Sequence, residues 1–274
     1  MSTIWKLTKS CIIPIITYGA EVWIPTKQEV KQADVILQNV LKRILKLPIS
    51  APKEIVIDET NIWDFETQLL KKQLLYYHRI KTQTIPSKLM DAITCNENNA
   101  WMKHIKQALE TTATQESHFL SMSKHQAKAY IHKQVKNYQR QKIYKAAENK
   151  SKVRDYVCLK NREDILKDSK FMNNLSRTNY ARIIHMRARM LKDRGNYQNR
   201  DTNQQCRWYK GKFESQMHIM TKCPNFIPIT NNVKYSTYFK DDENSIRTTI
   251  EKLNKVIPKI HQDTTSTTEE NLRG

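Results

Sequence analysis

Apolar residues return at helical spacing in one segment of this chain after another, and this periodicity determines the fold class that we predict. Between Val30 and Leu47 they share one helical face, and Pro48 follows where such a helix would stop. Asp64 and Ser123 stand where side chains can cap later periodic segments. The predicted helices cover residues 30–47, 64–81, 101–110, 123–149, 176–194 and 245–260. We therefore predict a mainly α protein.

Polar stretches divide these helices into successive regions. We predict a helical bundle over residues 1–110, a basic helical region over 116–200, a knuckle-like segment over 201–228, a C-terminal helix over 229–260 and a disordered tail over 261–274. The apolar run Cys11–Ala20 predicts a buried first helix or strand. Since Pro14 and Glu21 interrupt this run and no other approaches the length of a bilayer span, we expect no membrane association.

The chain carries a net charge of +20, and only four of its 274 residues are glycine. It has no GxGxxG or GxxxxGK[ST] motif, which argues against a phosphate-cradling nucleotide fold. A strongly positive field attracts polyanions, so RNA or DNA is the first partner to consider. A lysine-rich solvated surface is the alternative interpretation. Five scattered cysteines do not resemble a secreted disulfide framework, so we expect a nuclear or cytoplasmic protein.

Basic residues are concentrated in two of the predicted helices. In the first they recur every fourth residue, so a helix would align them in one stripe. The stripe consists of Lys124, Lys128, His132, Lys136 and Arg140. In the second, arginine dominates, and its planar guanidinium suits phosphate oxygens. This cluster comprises Arg177, Arg182, Arg187, Arg189, Lys192, Arg194 and Arg200. We predict the main nucleic-acid contact over residues 176–200, although a solvated helix face would produce the same pattern.

The knuckle-like segment has the spacing of a Cys-x2-Cys-x8-His-x4-Cys zinc site. Cys206, His218 and Cys223 occupy three of the ligand positions, and Tyr209 stands at the fourth. Water, Tyr209 or Glu214 would have to complete a tetrahedral shell. Two interpretations remain open, a bound zinc ion and a metal-free remnant, and the phenol favours the second. Apart from zinc, we expect no cofactor.

Catalytic motifs are missing from the sequence. It contains no YxDD-like carboxylate pair, no Gly-x-Ser-x-Gly elbow and no His-Glu-x-x-His helix. We therefore expect no enzymatic activity from this chain and assign no catalytic residue.

Several segments resemble one known family. The run Cys11–Trp23 resembles the "PILTYGAEVW" element of the thumb region in non-LTR, LINE-like retrotransposon reverse transcriptases. Residues 68–80 and 184–196 look like later helices of that family. Residues 206–226 are similar to its C-terminal knuckle, with Glu214, Ser215 and Pro224 in place and Tyr209 as a departure.

The resemblance implies the C-terminal part of an RNA-directed DNA polymerase. The bundle over residues 1–110 would be thumb-like, and the fingers and palm with their catalytic aspartates would precede Met1. The expected function is to hold RNA or DNA without polymerising it. The alternative is an inert or protein-interaction helical scaffold left by a decayed retroelement. The sequence indicates no oligomeric state.

Overall fold

The computed structural model describes residues 2–82, 99–191, 205–209, 211–226 and 233–270. Its α-helices are α1 (Ser2–Leu7), α2 (Ile13–Ile16), α3 (Lys27–Ile44), α4 (Lys53–Thr60), α5 (Phe65–Thr82), α6 (Ala100–Thr111), α7 (Glu116–Leu120), α8 (Lys124–Asn149), α9 (Ser151–Leu159), α10 (Lys170–Asn174), α11 (Arg177–Arg187), α12 (Gln216–Thr221) and α13 (Glu243–Glu270). Thr8–Ile12 is a π-helical turn, and Arg162–Asp164 and Tyr235–Phe239 are 3-10 turns. The described residues form no strand, so the predicted mainly α fold class is confirmed.

The chain divides into two compact units that each combine distant segments. Unit 1 contains residues 1–2, 41–59 and 147–274, and unit 2 contains residues 3–40 and 60–146. Residue 110, where we predicted a boundary, belongs to unit 2, and the predicted boundary near residue 200 lies outside the described residues. In the described residues, no helix combines the length and the apolar character that a membrane span requires.

Helix α5 anchors unit 2. Its predicted cap is confirmed, because Asp64 Oδ1 accepts a hydrogen bond of 2.9 Å from the amide of Thr67. Phe65 and Leu69 pack with Ala20 in a buried cluster. Three side chains bind the backbone of residues 17–23 by hydrogen bonds. On α5, Lys72 donates to the Thr17 carbonyl oxygen and Gln73 to that of Trp23. On α6, the Trp101 indole donates to the Glu21 carbonyl oxygen.

The first apolar run is helical but largely not buried, contrary to our prediction. Ile15 is 76% exposed and Tyr18 is 90% exposed, while Thr17 and Ala20 face the interior. Helix α2 ends at Ile16, and Gly19, with a φ of +67°, takes a left-handed conformation in the turn that follows.

Helix α11 begins as predicted and ends earlier. The Ser176 hydroxyl caps it by accepting from the amide of Asn179 at 3.3 Å. Arg189, at φ +54°, reverses the chain, and its amide and that of Met190 donate to the carbonyls of Met186 and His185 at 3.0 and 2.7 Å. This is a Schellman ending with arginine in the place usually taken by glycine. The sequence analysis placed the end of this helix at residue 194, which lies outside the described residues.

Helix α13 is longer than predicted. Asp242 caps it by accepting from the amide of Ser245 at 2.9 Å. The backbone is helical to Glu270, and residues 271–274 of the predicted tail lie outside the described residues. Once a packed helix exists, each added residue needs no new nucleus, and the threonine-rich end continues it.

Candidate nucleic-acid interface and metal centre

Helix α8 carries its basic stripe beside its buried face. The buried positions recur every fourth residue, at Ala127, Ile131, Val135, Gln139 and Ile143. The stripe lies one residue further along at each turn. Lys124 and Lys128 are exposed, whereas Lys136 and Arg140 are half-buried and make contacts within the structure. The stripe is therefore most open at its N-terminal end.

Lys142, on the same helix, belongs to an internal ion pair. Its ammonium lies 2.5 Å from Asp64 Oδ2 and 2.7 Å from Glu66 Oε2. Burial alone would lower the pKa of Lys142, but the two carboxylates outweigh burial and raise that pKa. Burial likewise opposes ionisation of Asp64, yet Lys142 and hydrogen bonds from Thr67 hold the Asp64 pKa below its ordinary value. The charge of Lys142 is thus already balanced.

A different basic group in unit 2 has no such compensation. The Lys71 ammonium lies 5.4 Å from the centroid of the Trp63 ring and 3.3 Å from His132 Nδ1. The His132 ring in turn packs on Trp63, with centroids 4.8 Å apart. Burial, followed by repulsion from Lys128 and Lys9, lowers the pKa of Lys71. Sequence analysis missed Lys9 and Lys71 because these charges come from separate elements.

The arginine cluster of unit 1 is mostly occupied by internal contacts. Arg177 is exposed, and its Nε donates to the Ile44 carbonyl at 3.1 Å. Arg182 is half-buried and donates to Asn254 Oδ1 at 2.7 Å. Arg189 is paired with Asp155 at 2.5 Å. Arg194, together with Lys192 and Arg200, lies outside the described residues.

Arg187 is a correction to the sequence analysis. Its side chain is 1% exposed, so it is not positioned to contact a phosphate backbone. The guanidinium donates to both carboxylate oxygens of Glu59 at 3.0 Å and to Asp241 Oδ1 at 2.8 Å. It also donates to the carbonyls of Tyr238 and Lys240, at 3.1 and 2.9 Å. These charge-assisted hydrogen bonds offset the free-energy cost of burying the guanidinium.

Arg187 is part of a larger group that we call the buried charge cluster. Its members are Asp58, Glu59, Tyr156, Lys160, Arg187 and Asp241. Lys160 Nζ lies 2.9 Å from Asp58 Oδ2 and 3.5 Å from Asp241 Oδ2. The Tyr156 hydroxyl donates to Glu59 at 2.6 Å, and burial raises the Tyr156 pKa. The cluster joins helices α4, α9 and α11 to the start of α13 within unit 1.

The three predicted metal ligands do meet in the structure. The ligand atoms offered by Cys206, His218 and Cys223 all lie within 4.8 Å of one another, and the three residues are buried. The two sulfur atoms are 3.9 Å apart. Gly211, with φ +91°, lies in a tight turn, after which the Lys212 carbonyl oxygen accepts a hydrogen bond of 2.7 Å from the Cys206 amide.

The surroundings of these three residues fit a metal ion. His218 Nε2 is buried without a hydrogen-bond partner in the structure, as a ligand nitrogen would be before metal binds. Burial lowers the pKa of His218, which favours the neutral ring that coordinates metal. Burial also raises the pKa of Cys223 to about 11, so a metal must displace a proton from this thiol.

Neither protein candidate for the fourth ligand is committed to the site. Glu214 is fully buried and paired with Arg207 at 2.7 Å, so it is engaged elsewhere. Tyr209 is 44% exposed, and its ring stacks against that of His218 with centroids 6.5 Å apart. The described residues could therefore hold a three-ligand metal site, weaker and more open than a four-ligand one.

Comparison of this chain with protein-family models, with curated proteins and with solved structures finds no match.

Proposed function

We propose that this chain is a nucleic-acid-binding C-terminal part of a non-LTR retrotransposon reverse transcriptase, without the polymerase centre. The family assignment rests on the sequence motifs of residues 11–23 and 206–226. The binding function rests on one observation, the exposed lysines at the start of helix α8. Lys124 and Lys128 stand exposed on a helix of 26 residues whose only acidic residue is Glu148.

Such a surface binds a polyanion for a simple physical reason. A phosphate backbone carries condensed counterions, and each lysine that replaces one releases it into solution. The charge repulsion among neighbouring lysines also falls when the phosphates arrive. Both effects are independent of base sequence, so the proposed activity is to hold an RNA or DNA strand without selecting its sequence.

The salt dependence of binding tests this proposal. Fluorescence anisotropy with a labelled single-stranded RNA and with duplex DNA should show affinities that fall steeply as salt rises. A plot of log K against log salt that stays flat for both probes would reject the proposal. Double charge reversal at Lys124 and Lys128 should weaken binding. The same reversal at Lys27 and Lys31, exposed on helix α3, keeps the net charge equal and should have a smaller effect.

We also propose that Cys206, His218 and Cys223 hold zinc with water as the fourth ligand. The metal would supply no chemistry beyond closing the turn between Cys206 and Cys223, as structural zinc does. Bound zinc would also occupy the unpartnered His218 nitrogen. The site is thus a stabilising element of unit 1.

A protein-interaction scaffold is the second candidate function. It is favoured by the exposed apolar side chains of unit 2, among which are Ile15, Tyr18 and Val22. Exposed apolar residues that form a contiguous patch mark surfaces that other proteins cover. A scaffold predicts that the reversal at Lys124 and Lys128 leaves retention on nucleic acid unchanged.

A further inference from the structure

Three lysines that are distant in sequence act on one another in unit 2. Lys9 lies in the π-helical turn, Lys71 in helix α5 and Lys128 in helix α8. Helices α5 and α8 meet here, since Lys71 Nζ lies 3.3 Å from His132 Nδ1 and His132 follows Lys128 by one helical turn. Lys128 and Lys9 both lower the pKa of Lys71, after the effect of burial. Their convergence is a product of the fold, because 62 and 57 residues separate them along the chain (71 − 9 and 128 − 71).

Neighbouring aromatic side chains hold the Lys71 ammonium in position. Lys71 Nζ stands 5.4 Å from the Trp63 ring centroid and 3.3 Å from His132 Nδ1. Trp63 itself is buried, and its indole nitrogen donates to Asn61 Oδ1 at 3.2 Å. A charge held against an aromatic wall is poorly screened, so an anion placed beside it would be attracted more strongly than at an open surface.

No carboxylate neutralises the group in the described part of the chain. Lys9, Lys71 and Lys128 form no ion pair there. No acidic residue occurs within four positions of any of them in the sequence. The nearest acid on helix α5, Glu66, is already paired with Lys142 at 2.7 Å. Folding has therefore gathered like charges, which is unfavourable unless something outside the described structure balances them.

We propose that Lys9, Lys71 and Lys128 form a binding site for a phosphodiester group of a nucleic-acid strand. This inference rests on the proposed function, and it locates one phosphate contact in unit 2. Two of the lysines are exposed and can reorient toward the anion, and half-buried Lys71 supplies a charge held by Trp63 and His132. A phosphodiester fits because it presents two anionic oxygens and leaves the bases free, so the site works on RNA and DNA alike.

If the site is real, removing the Lys71 charge should weaken nucleic-acid binding and increase the stability of the protein. Removing a lysine that only packs in the structure would not have both effects. Lys71→Met keeps the aliphatic stem over Trp63 and removes the crowded charge. It should raise the melting temperature of the protein. It should also make the negative slope of log K against log salt shallower by about 0.7 for a short single-stranded RNA. The change should be similar for single-stranded DNA of the same sequence.

Two further variants complete the experiment. Lys9→Gln removes an exposed partner and should reduce the slope as Lys71→Met does, even if the latter folds poorly. Lys133→Met is the matched control, since Lys133 is exposed on helix α8 and does not act on Lys71. It should change the slope by less than half as much as either site variant.

The possible failures are distinguishable. If the wild-type protein shows no salt-dependent binding to either strand, the proposed function fails, and the site fails with it. If the wild type binds and the site variants lose no more slope than Lys133→Met, the phosphodiester site alone is overturned. A lower melting temperature for Lys71→Met with unchanged binding would make Lys71 a packing residue and would also overturn the site.

Discussion

Replacing Arg187 by leucine tests the largest departure of the structure from the sequence-based prediction. Leucine fills part of the volume but removes every donor of the guanidinium. Glu59, whose side chain is 2% exposed, would then keep the Tyr156 hydroxyl at 2.6 Å and the Lys160 ammonium at 3.7 Å. Asp241 would keep only Lys160, at 3.5 Å, among its cationic partners in the cluster. The variant therefore buries negative charge that is incompletely paired.

The expected cost follows from this geometry. Removing one partner of a buried ion pair costs about 3–5 kcal/mol because the other charge is left uncompensated. Two carbonyl oxygens, those of Tyr238 and Lys240, also lose a charged donor. Arg187→Lys keeps the positive charge but cannot reach all these acceptors with one ammonium group, so we expect an intermediate loss.

Hydrogen exchange can follow the loss in unit 1 separately from unit 2. Amide protection in helix α11 should fall by about a hundredfold to several thousandfold in Arg187→Leu, since 1.4 kcal/mol corresponds to a factor of ten. Helix α5, which lies wholly in unit 2, gives an internal comparison. Arg177→Leu is the control, because Arg177 is exposed and should cost less than about 1 kcal/mol. Equal protection of α11 in the two variants would refute the reasoning.

Three further predictions concern other features. Asp64→Asn should destabilise the protein by about 1–3 kcal/mol at pH 7, because it removes the carboxylate that pairs with Lys142. The pKa of Asp64 is below 3.8 in the folded protein, so its carboxylate stabilises the wild type above pH 3.8, and this stabilisation is lost as the pH falls through the folded pKa. Urea titrations of the variant should not show this pH-dependent loss of stability. Tyr209→Cys should raise the zinc content measured by mass spectrometry, while Cys223→Ser should lower it, and no change in either would count against a metal site. Lys46→Gly should raise the free energy of unfolding by about 0.5–1 kcal/mol, because Lys46 ends helix α3 at a positive φ that glycine adopts without strain; an unchanged urea midpoint would contradict this.

Helix positions and caps were largely predictable because they depend on neighbouring residues. Apolar spacing, with Asp64 and Ser123 as caps, located the starts of helices α5 and α8. The end of α11 was missed because arginine rarely takes the left-handed conformation that Arg189 adopts here, beside its ion pair with Asp155. Local propensity cannot contain that information.

The burial of Arg187 had a signal in the sequence that charge counting concealed. Arg187 follows Ile183 by four positions and Ile184 by three, so it lies on the apolar face of its helix. Its partners Glu59 and Asp241 are 128 and 54 residues away, and no local pattern links them. An arginine in the apolar register therefore predicts a buried ion pair better than a phosphate contact.

The basic residues behind the net charge of +20 thus fall into two groups, those paired with carboxylates and those without an acidic partner in the described chain. Arg187, Lys160 and Lys142 are charges that the fold has already balanced with carboxylates, so they stabilise the protein and leave little field outside it. Lys71 and Lys128 lie where the described chain supplies no acid, so their field is available to a partner. The unbalanced population determines where a polyanion would bind. Charge pairing alone therefore places the centre of the proposed interface among the lysines of unit 2, and not among the arginines of helix α11.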